Sequence, residues 1–129
     1  MEKYMLLALK EAKKAEKHGD VPIGTIIIKN NKVISKGHNK KEKKQNVTRH
    51  AEIEAIEKAC RKMKTWHLEE CEIYTTVEPC TMCYGAIEQA RIKKIVFRIF
   101  CLCYDIIFRI IWISSCGSWK LWVTTSCIY

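Results

Sequence analysis

The tripeptide His50-Ala51-Glu52 and the segment Pro79-Cys80-Thr81-Met82-Cys83 constrain this chain more than any other feature. One imidazole and two thiols are three good zinc ligands, and two cysteines at this spacing can present both sulfurs to one metal from a single turn of backbone. A structural zinc site usually has four protein ligands, so three leave one position for a water. We therefore expect His50, Cys80 and Cys83 to bind one Zn²⁺ ion per chain, with water as the fourth ligand.

Glu52 lies close enough to this site to carry a proton without binding the metal. Zinc lowers the pKa of a bound water toward neutrality, and a nearby carboxylate can take up the proton and pass it to a reacting base and a leaving amine. Side chains 50 and 52 point about 200° apart in a regular helix, so they converge only if His50 lies in the first, loosely wound turn. Without these partners, Glu52 would be an ordinary solvated carboxylate.

The cysteine pair has two other interpretations. A Cys-x-x-Cys segment can be a redox motif, or it can be half of a structural zinc site that uses Cys60 or Cys71. Pro79 predicts a helix that begins at this residue and runs to about Arg91. At a helix N-terminus, the dipole and the free amides favour the thiolate form that metal binding requires.

The remaining pattern alternates helices with strands and predicts a single three-layer α/β domain, α-β-α, over residues 1–129. A tight turn at Asn30-Asn31 joins two of the strands, and Gly19 caps the first helix. Residues 38–49 are polar and basic and predict a loop. The second helix is expected to bury Ile53, Ile56, Cys60 and Met63. The first helix is predicted over Glu2–Lys17. The predicted strands are Ile23–Lys29, Lys32–Lys36, Glu72–Val77 and Lys93–Phe97.

Charge and cysteine content suggest a partner and a compartment. The net charge is +9 over 129 residues, which favours an anionic partner such as nucleic acid. Eight cysteines without a recognisable secretory signal favour metal-ligand or free thiols in a reducing cytoplasm. The longest apolar stretch, Ile99 to Ile113, contains Asp105 and Arg109, so we expect no membrane span.

Several ordered motifs extend the pattern around the two ligand segments. They are Asp20-Val21-Pro22-Ile23-Gly24, Gly37-His38-Asn39, Thr48-Arg49-His50-Ala51-Glu52-Ile53 and the run from Val77 to Ile87. With these motifs, residues 1–97 resemble the cytidine/deoxycytidylate deaminase superfamily, and most of all its bacterial tRNA adenosine deaminases. The resemblance implies the superfamily's fold, with a central mixed sheet. It also implies a zinc-dependent homodimer that forms inosine at the wobble position of a tRNA anticodon stem-loop.

The resemblance also assigns roles to individual residues. His50, Cys80 and Cys83 match the zinc ligands, Glu52 matches the proton shuttle, and Asn39 matches a base-contacting asparagine. The other predicted substrate positions are Pro22, Ile23 and Gly24, which match a segment lining the base pocket, together with Ala51 and Glu78. Asn39 could equally be a turn residue, Glu78 a helix cap, and residues 22–24 the entry to a buried strand.

A basic segment lies between Asn39 and His50. In a deaminase, it would place positive charge where tRNA phosphates pass, although most such runs are solvated loops. The predicted phosphate contacts are Lys40, Lys41, Lys43, Lys44 and Arg49.

The composition changes after Phe97. Residues 98–129 hold four of the eight cysteines and three of the four tryptophans but only four charged residues. Their apolar residues show no clear helical or strand period, although Leu121 to Tyr129 could be a strand. We hypothesise that this atypical tail arises from a frameshift, a pseudogene or a remodelled C-terminus, which would leave the far edge of the sheet incomplete. Two other functions therefore stay open: a deaminase of a free base or nucleotide, such as guanine or cytosine, and a catalytically inert zinc-stabilised domain that binds RNA or a partner.

Overall fold

The computed structural model describes residues 2–100, 106–113 and 119–123. Six strands form one sheet in the order β2-β1-β3-β4-β5-β6, in which β3 and β4 are parallel and the other neighbours are antiparallel. The predicted mixed sheet is therefore confirmed. In chain order the elements are α1 (Glu2–Glu16), β1 (Gly24–Lys29), β2 (Lys32–His38), α2 (Lys41–Lys44), α3 (Ala51–Met63), β3 (Cys71–Thr75), α4 (Thr81–Gln89), β4 (Lys94–Phe100), β5 (Ile106–Ile113) and β6 (Trp119–Val123).

Strand β1 shows why the fold has three layers. Its isoleucines are all buried and divide between two cores, because successive side chains of a strand point to opposite faces. Ile26 and Ile28 pack in the cluster that contains residues of α1, whereas Ile27 packs in the cluster that contains residues of α3 and α4. A nearly continuous apolar strand is typical of a sheet covered on both faces. The α-β-α prediction is confirmed.

The predicted turns form as their sequences require. Asn30 and Asn31 both have positive φ, 48° and 60°, which suits the tight hairpin between β1 and β2. Gly19 has φ 76° and follows α1, where its N–H donates to the Glu16 carbonyl at 3.0 Å. These positions favour asparagine or glycine because other residues pay a steric penalty at positive φ.

Two local predictions need correction. Residues 38–49 are not entirely loop, because they contain the short helix α2, whose first-turn N–H groups are capped from another part of the chain by Asp20. Pro79 does not occupy the first helical position; Cys80 is the N-cap of α4, and the helix ends at Gln89. Proline cannot donate a backbone hydrogen bond, so it is accommodated just outside the helix as well as in its first turn.

The buried face of α3 also differs from the prediction. Ala51, Ala55 and Ala59 are fully buried, whereas the larger apolar side chains expected there are only partly buried: Ile53, Ile56, Cys60 and Met63. The reason is the close approach of α3 to the sheet at Gly37. A Cβ atom at Gly37 would lie 2.2 Å from the Ala51 carbonyl oxygen and 2.7 Å from the Ala55 nitrogen.

The sheet continues beyond β4, contrary to the expectation of a missing edge. Strand β5 pairs with β4 from Lys94↔Trp112 to Phe100↔Ile106, and β6 pairs with β5. Ile106–Ile113 was not predicted as a strand because its apolar residues do not alternate with polar ones. The predicted strand Leu121 to Tyr129 corresponds to β6 only through Val123, and residues 124–129 lie outside the described residues. Within the described segments, the helices are all too short or too polar to span a bilayer.

We predict that Gly37→Ala destabilises the chain by about 1–3 kcal/mol, the usual cost of overpacking, because α3 must move off the sheet. Chemical denaturation with a constant m-value measures this cost. Gly85→Ala in α4 is the matched control: its Cβ would meet nothing within 4 Å, so helix propensity alone should stabilise the chain by about 0.5–1 kcal/mol. Equal stability of Gly37→Ala and the wild type would contradict the close packing.

Candidate zinc site at two helix N-termini

The N-termini of α3 and α4 bring three metal-binding side chains together. His50 is the N-cap of α3, with φ −73° and ψ 157°, and Cys80 is the N-cap of α4, with φ −73° and ψ 169°. Neither side chain makes the capping hydrogen bond usual at this position, so the imidazole and the thiol are available to a metal. Cys83 lies in the first turn of α4. The extended backbone at His50 meets the condition under which His50 and Glu52 can converge.

The distances fit a tetrahedral zinc ion. His50 Nδ1 lies 3.6 Å from both the Cys80 and Cys83 sulfurs, and the three ligand atoms all lie within 4.8 Å of one another. With Zn–S of about 2.3 Å and Zn–N of about 2.05 Å at tetrahedral angles, the expected N···S separation is about 3.6 Å. His50, Cys80 and Cys83 are the one such group found among the described residues, and Cys60 and Cys71 do not belong to it.

The two thiols of the group have different surroundings. Cys80 is exposed and Cys83 is fully buried. Burial, followed by the charge of Glu52, raises the pKa of the Cys83 thiol far above its usual range. A thiol must lose its proton to bind zinc. Because Cys83 holds its proton in the absence of a cation, zinc binding at this site is coupled to proton release.

Glu52 lies beside the metal-binding group. Its side chain is buried, with 3% of the residue exposed, and is hydrogen-bonded to that of Cys83. Burial raises the pKa of the Glu52 carboxyl, while its hydrogen bonds and the charge of His50 act in the opposite direction. A carboxyl group with a raised pKa can both accept and release a proton near neutral pH.

Asn39 joins the segment that precedes β1 to the segment that leads to His50. Its backbone N–H donates to the Ile23 carbonyl at 3.1 Å, and its side-chain Nδ2 donates to the Val21 carbonyl at 3.4 Å. Its Oδ1 accepts from the Lys41 N–H at 3.2 Å. Asn39 is 5% exposed, so its amide is held in place by these partners and retains donor and acceptor capacity for another group.

The other predicted substrate residues occupy varied positions. Gly24 is buried under α1, where a Cβ atom would lie 2.0 Å from the Ala8 carbonyl oxygen, so helix packing accounts for the glycine. Ala51 is fully buried at the start of α3. Ile23 is half-buried, and Pro22 and Glu78 are exposed. The Gly24 carbonyl accepts from the Thr76 N–H at 3.1 Å, which connects residues 22–24 to the segment that leads to Cys80.

The predicted phosphate contacts divide into two sets. Lys41, Lys43 and Lys44 form most of α2, in which all residues are exposed. Lys40 and Arg49 instead pair with a carboxylate of α3: Lys40 Nζ lies 2.9 Å, and Arg49 Nη1 3.3 Å, from Glu54. Within the part of the chain that the structure describes, the α2 lysines form no ion pair, although Lys43 Nζ lies 3.3 Å from His18 Nε2.

Sequence analysis missed two buried carboxylates that shape this region. Asp20 is 4% exposed and accepts the N–H groups of Glu42, at 2.7 Å, and Lys43, at 3.3 Å, which fixes the start of α2. Glu54 is 7% exposed and binds Lys40 and Arg49. For Glu54, the sequence signal was an acidic residue at a helix position between two apolar neighbours, Ile53 and Ala55.

A groove of about 530 Å³ lies apart from the metal-binding group. It is formed by α1 and the segment after β3, and its lining residues are Leu6, Leu9, Lys10, Ala12, Lys13, Pro22, Thr76 and Val77. Pro22 is the one predicted substrate residue among them, and none of His50, Glu52, Cys80 or Cys83 contributes. The chemistry of the site therefore does not reside in this groove.

Comparison with known proteins matches most of the chain to a deaminase family that binds zinc. Residues 1–99 match the family model of the cytidine and deoxycytidylate deaminase zinc-binding region. The chain is 46% identical over 99 residues to the tRNA-specific adenosine deaminase of Bacillus subtilis, and 48% identical over 96 residues to that of Aquifex aeolicus. The matches cover 77% and 74% of this chain but 62% and 64% of those relatives, so the chain spans somewhat less than two thirds of their length.

Two solved deaminase structures have a fold similar to that of this chain. One comes from a study of A-to-I editing by tRNA:A34 deaminases at the wobble position of transfer RNA; it has a TM-score of 0.71 and 39% identity and covers 73% of this chain and 72% of that one. The guanine deaminase of Bacillus subtilis has a TM-score of 0.70 and 38% identity, and covers 74% and 61%. These matches confirm the predicted fold and family resemblance. The chain belongs to the zinc-binding cytidine and deoxycytidylate deaminase family.

Proposed function

We propose that this chain is a zinc-dependent hydrolase that converts adenosine to inosine at the wobble position of a tRNA anticodon. The observation that carries the proposal is the three-ligand group of His50, Cys80 and Cys83 beside the buried carboxyl of Glu52. Sequence identity of 46% to a tRNA-specific adenosine deaminase supports the choice of substrate. The reaction adds water to C6 of adenine and releases ammonia.

In this proposal, His50 Nδ1 and the sulfurs of Cys80 and Cys83 hold the zinc. When bound, zinc would supply Lewis acidity, which would lower the pKa of the attacking water. Glu52 would accept a proton from the attacking water and deliver it to the adenine nitrogen next to C6. It would then take the proton of the new C6 hydroxyl and pass it to the departing amino group, which leaves as ammonia. Its burial beside Cys83 keeps this proton away from bulk solvent.

The base is proposed to bind against the segment formed by Pro22, Ile23 and Gly24, with Ala51 and Glu78 beside the metal. Asn39 would contact the purine edge through the part of its amide that the Val21 and Lys41 bonds leave free. The exposed lysines of α2 follow directly after Asn39 and would contact phosphates on either side of the target adenosine.

The proposal includes a homodimer, as the family resemblance implies, and a cytoplasmic location, as the cysteine content favours. In the described residues the cysteines Cys60, Cys71, Cys80 and Cys83 are free thiols, which suits a reducing compartment. Sedimentation of the purified chain at several concentrations tests the dimer.

The direct test compares two substrates of the zinc-loaded chain. An anticodon stem-loop with adenosine at the wobble position should yield inosine and one equivalent of ammonia, whereas free guanine should yield no xanthine. Free guanine is included because the structure of this chain is similar to that of a guanine deaminase. Formation of xanthine without inosine would replace the proposed function by deamination of a free base. If neither inosine nor xanthine forms, the chain would be a catalytically inert zinc domain.

We predict that Glu52→Ala lowers the rate of inosine formation by about 10²–10⁴-fold, the usual contribution of a general acid/base. Zinc content, measured by elemental analysis, should stay at one ion per chain, because Glu52 is not a ligand. Glu88→Ala, which removes an exposed carboxylate of α4, is the matched control and should leave the rate unchanged. An active Glu52→Ala variant would remove the proposed mechanism.

We predict that Lys41→Ala, Lys43→Ala and Lys44→Ala each reduce the slope of log affinity against log salt for the stem-loop by about 1, because each removes one phosphate contact. Binding is measured by fluorescence anisotropy at several salt concentrations. Lys32→Ala, at the hairpin turn, serves as the control with the same loss of charge. A uniform effect of all four substitutions would mean that only net charge matters.

A further inference from the structure

The segment between Asn39, the proposed base contact, and His50, the proposed metal ligand, has its two ends joined to each other. Lys40 follows Asn39 directly, and Arg49 directly precedes His50. The Lys40 N–H donates to the Arg49 carbonyl at 2.9 Å, so the two ends of this segment lie side by side. A backbone hydrogen bond therefore links the two ends of the segment directly.

A single carboxylate of α3 binds both ends. Lys40 Nζ lies 2.9 Å from Glu54 Oε2, and Arg49 Nη1 lies 3.3 Å from Glu54 Oε1, so each oxygen takes one cation. The side chains of Lys40, Arg49 and Glu54 are 20%, 32% and 9% exposed. Water screens these pairs less than it screens surface pairs. Loss of the carboxylate would leave Lys40 partly buried without its ion pair to Glu54, and would leave Arg49 with Glu57 alone.

Glu54 is itself fixed to the metal-binding end of the helix. Its backbone N–H donates to the His50 carbonyl at 3.0 Å, and it lies two residues after Glu52. Burial alone raises the pKa of the Glu54 carboxyl, but the Lys40 hydrogen bond and the charges of Lys40 and Arg49 outweigh burial and hold the pKa below its usual value. The carboxylate is charged, as this arrangement requires.

We propose that Glu54 is a positioning residue that holds Asn39 and His50 in one fixed arrangement through Lys40 and Arg49, and so couples base recognition to the metal site. Its catalytic consequence rests on the proposed function, but its effect on the segment and on metal retention does not. Lys40 and Arg49 accordingly act inside the protein and contribute less to phosphate binding than the lysines of α2.

The main test compares Glu54→Gln with the wild type in two measurements that need no substrate. Zinc transfer to a chromogenic chelator should be about ten-fold faster or more, as is usual when a group that supports a metal ligand is lost. Hydrogen exchange within residues 39–50, followed by mass spectrometry, should also accelerate as the Lys40 to Arg49 hydrogen bond opens.

Glu57→Gln is the matched control. Glu57 also binds Arg49, at 2.8 Å, but it is 43% exposed and has no ion pair with Lys40. This control should stay within about two-fold of the wild type in both measurements. The proposal is overturned if Glu54→Gln also stays within that range, or if Glu57→Gln has the same effect.

A second variant keeps the proposal testable if Glu54→Gln folds poorly. Lys40→Met leaves Glu54 paired with Arg49 and should by itself speed zinc transfer beyond the two-fold range of the Glu57→Gln control; a rate within that range would overturn the proposal. Where Glu54→Gln folds, Lys40→Met should speed transfer less than Glu54→Gln does. If the two residues act through one contact, the double variant should release zinc no faster than Glu54→Gln alone. Multiplicative effects of the two substitutions would contradict the proposal.

Kinetics then separate this inference from the proposed function. With the anticodon stem-loop as substrate, Glu54→Gln should raise KM and lower kcat together, because both Asn39 and His50 lose their alignment. Glu54→Asp keeps the charge and should recover part of both. If the wild type proves inactive on every substrate, the proposed function fails, while the zinc-transfer and exchange results still decide the role of Glu54.

Discussion

The structure depends on the convergence of two helix N-termini at one end of the sheet. His50 begins α3 and Cys80 begins α4, and with Cys83 they place one nitrogen and two sulfurs at separations that fit tetrahedral zinc. The helices come from distant parts of the sequence, and only their packing on a common sheet face brings the ligands together. Three ligands leave one position open, so the same convergence fits the open type of zinc site on which the proposed function depends, rather than a closed structural site.

Small residues make this convergence possible. Gly37 in β2 allows the backbone of α3 to approach within contact of the strand, and Gly24 does the same for α1, where a Cβ atom would lie 2.0 Å from the Ala8 carbonyl oxygen. The buried alanines of α3 continue the close contact along the helix. The position of His50 therefore depends on Gly37 and on the buried alanines of α3, so the metal site depends on how closely α3 packs on the sheet.

Much of the fold and of the candidate site could be predicted from local patterns. The apolar run of β1, the Asn30-Asn31 turn and the ligand spacing are each determined by residues close in sequence, and the resemblance extended them to the whole family fold. Asp20 and Glu54 could not be predicted, because Lys40, Glu42 and Lys43 lie 14 to 23 residues from the carboxylate that they contact. The pair of Glu54 with Arg49 spans only 5 residues, but an ion pair leaves no periodic pattern. Ile106–Ile113 was missed because its apolar residues, interrupted only by Arg109, show no alternation with polar ones.

Zinc-edge X-ray absorption on the purified chain tests the central claim most directly. The account predicts one zinc per chain with two sulfur neighbours at about 2.3 Å and two nitrogen or oxygen neighbours at about 2.0–2.2 Å. Loss of one sulfur neighbour in Cys83→Ala would assign that ligand. Three or four sulfur neighbours would mean a closed structural site that recruits other cysteines, and would contradict an open site formed by His50, Cys80 and Cys83.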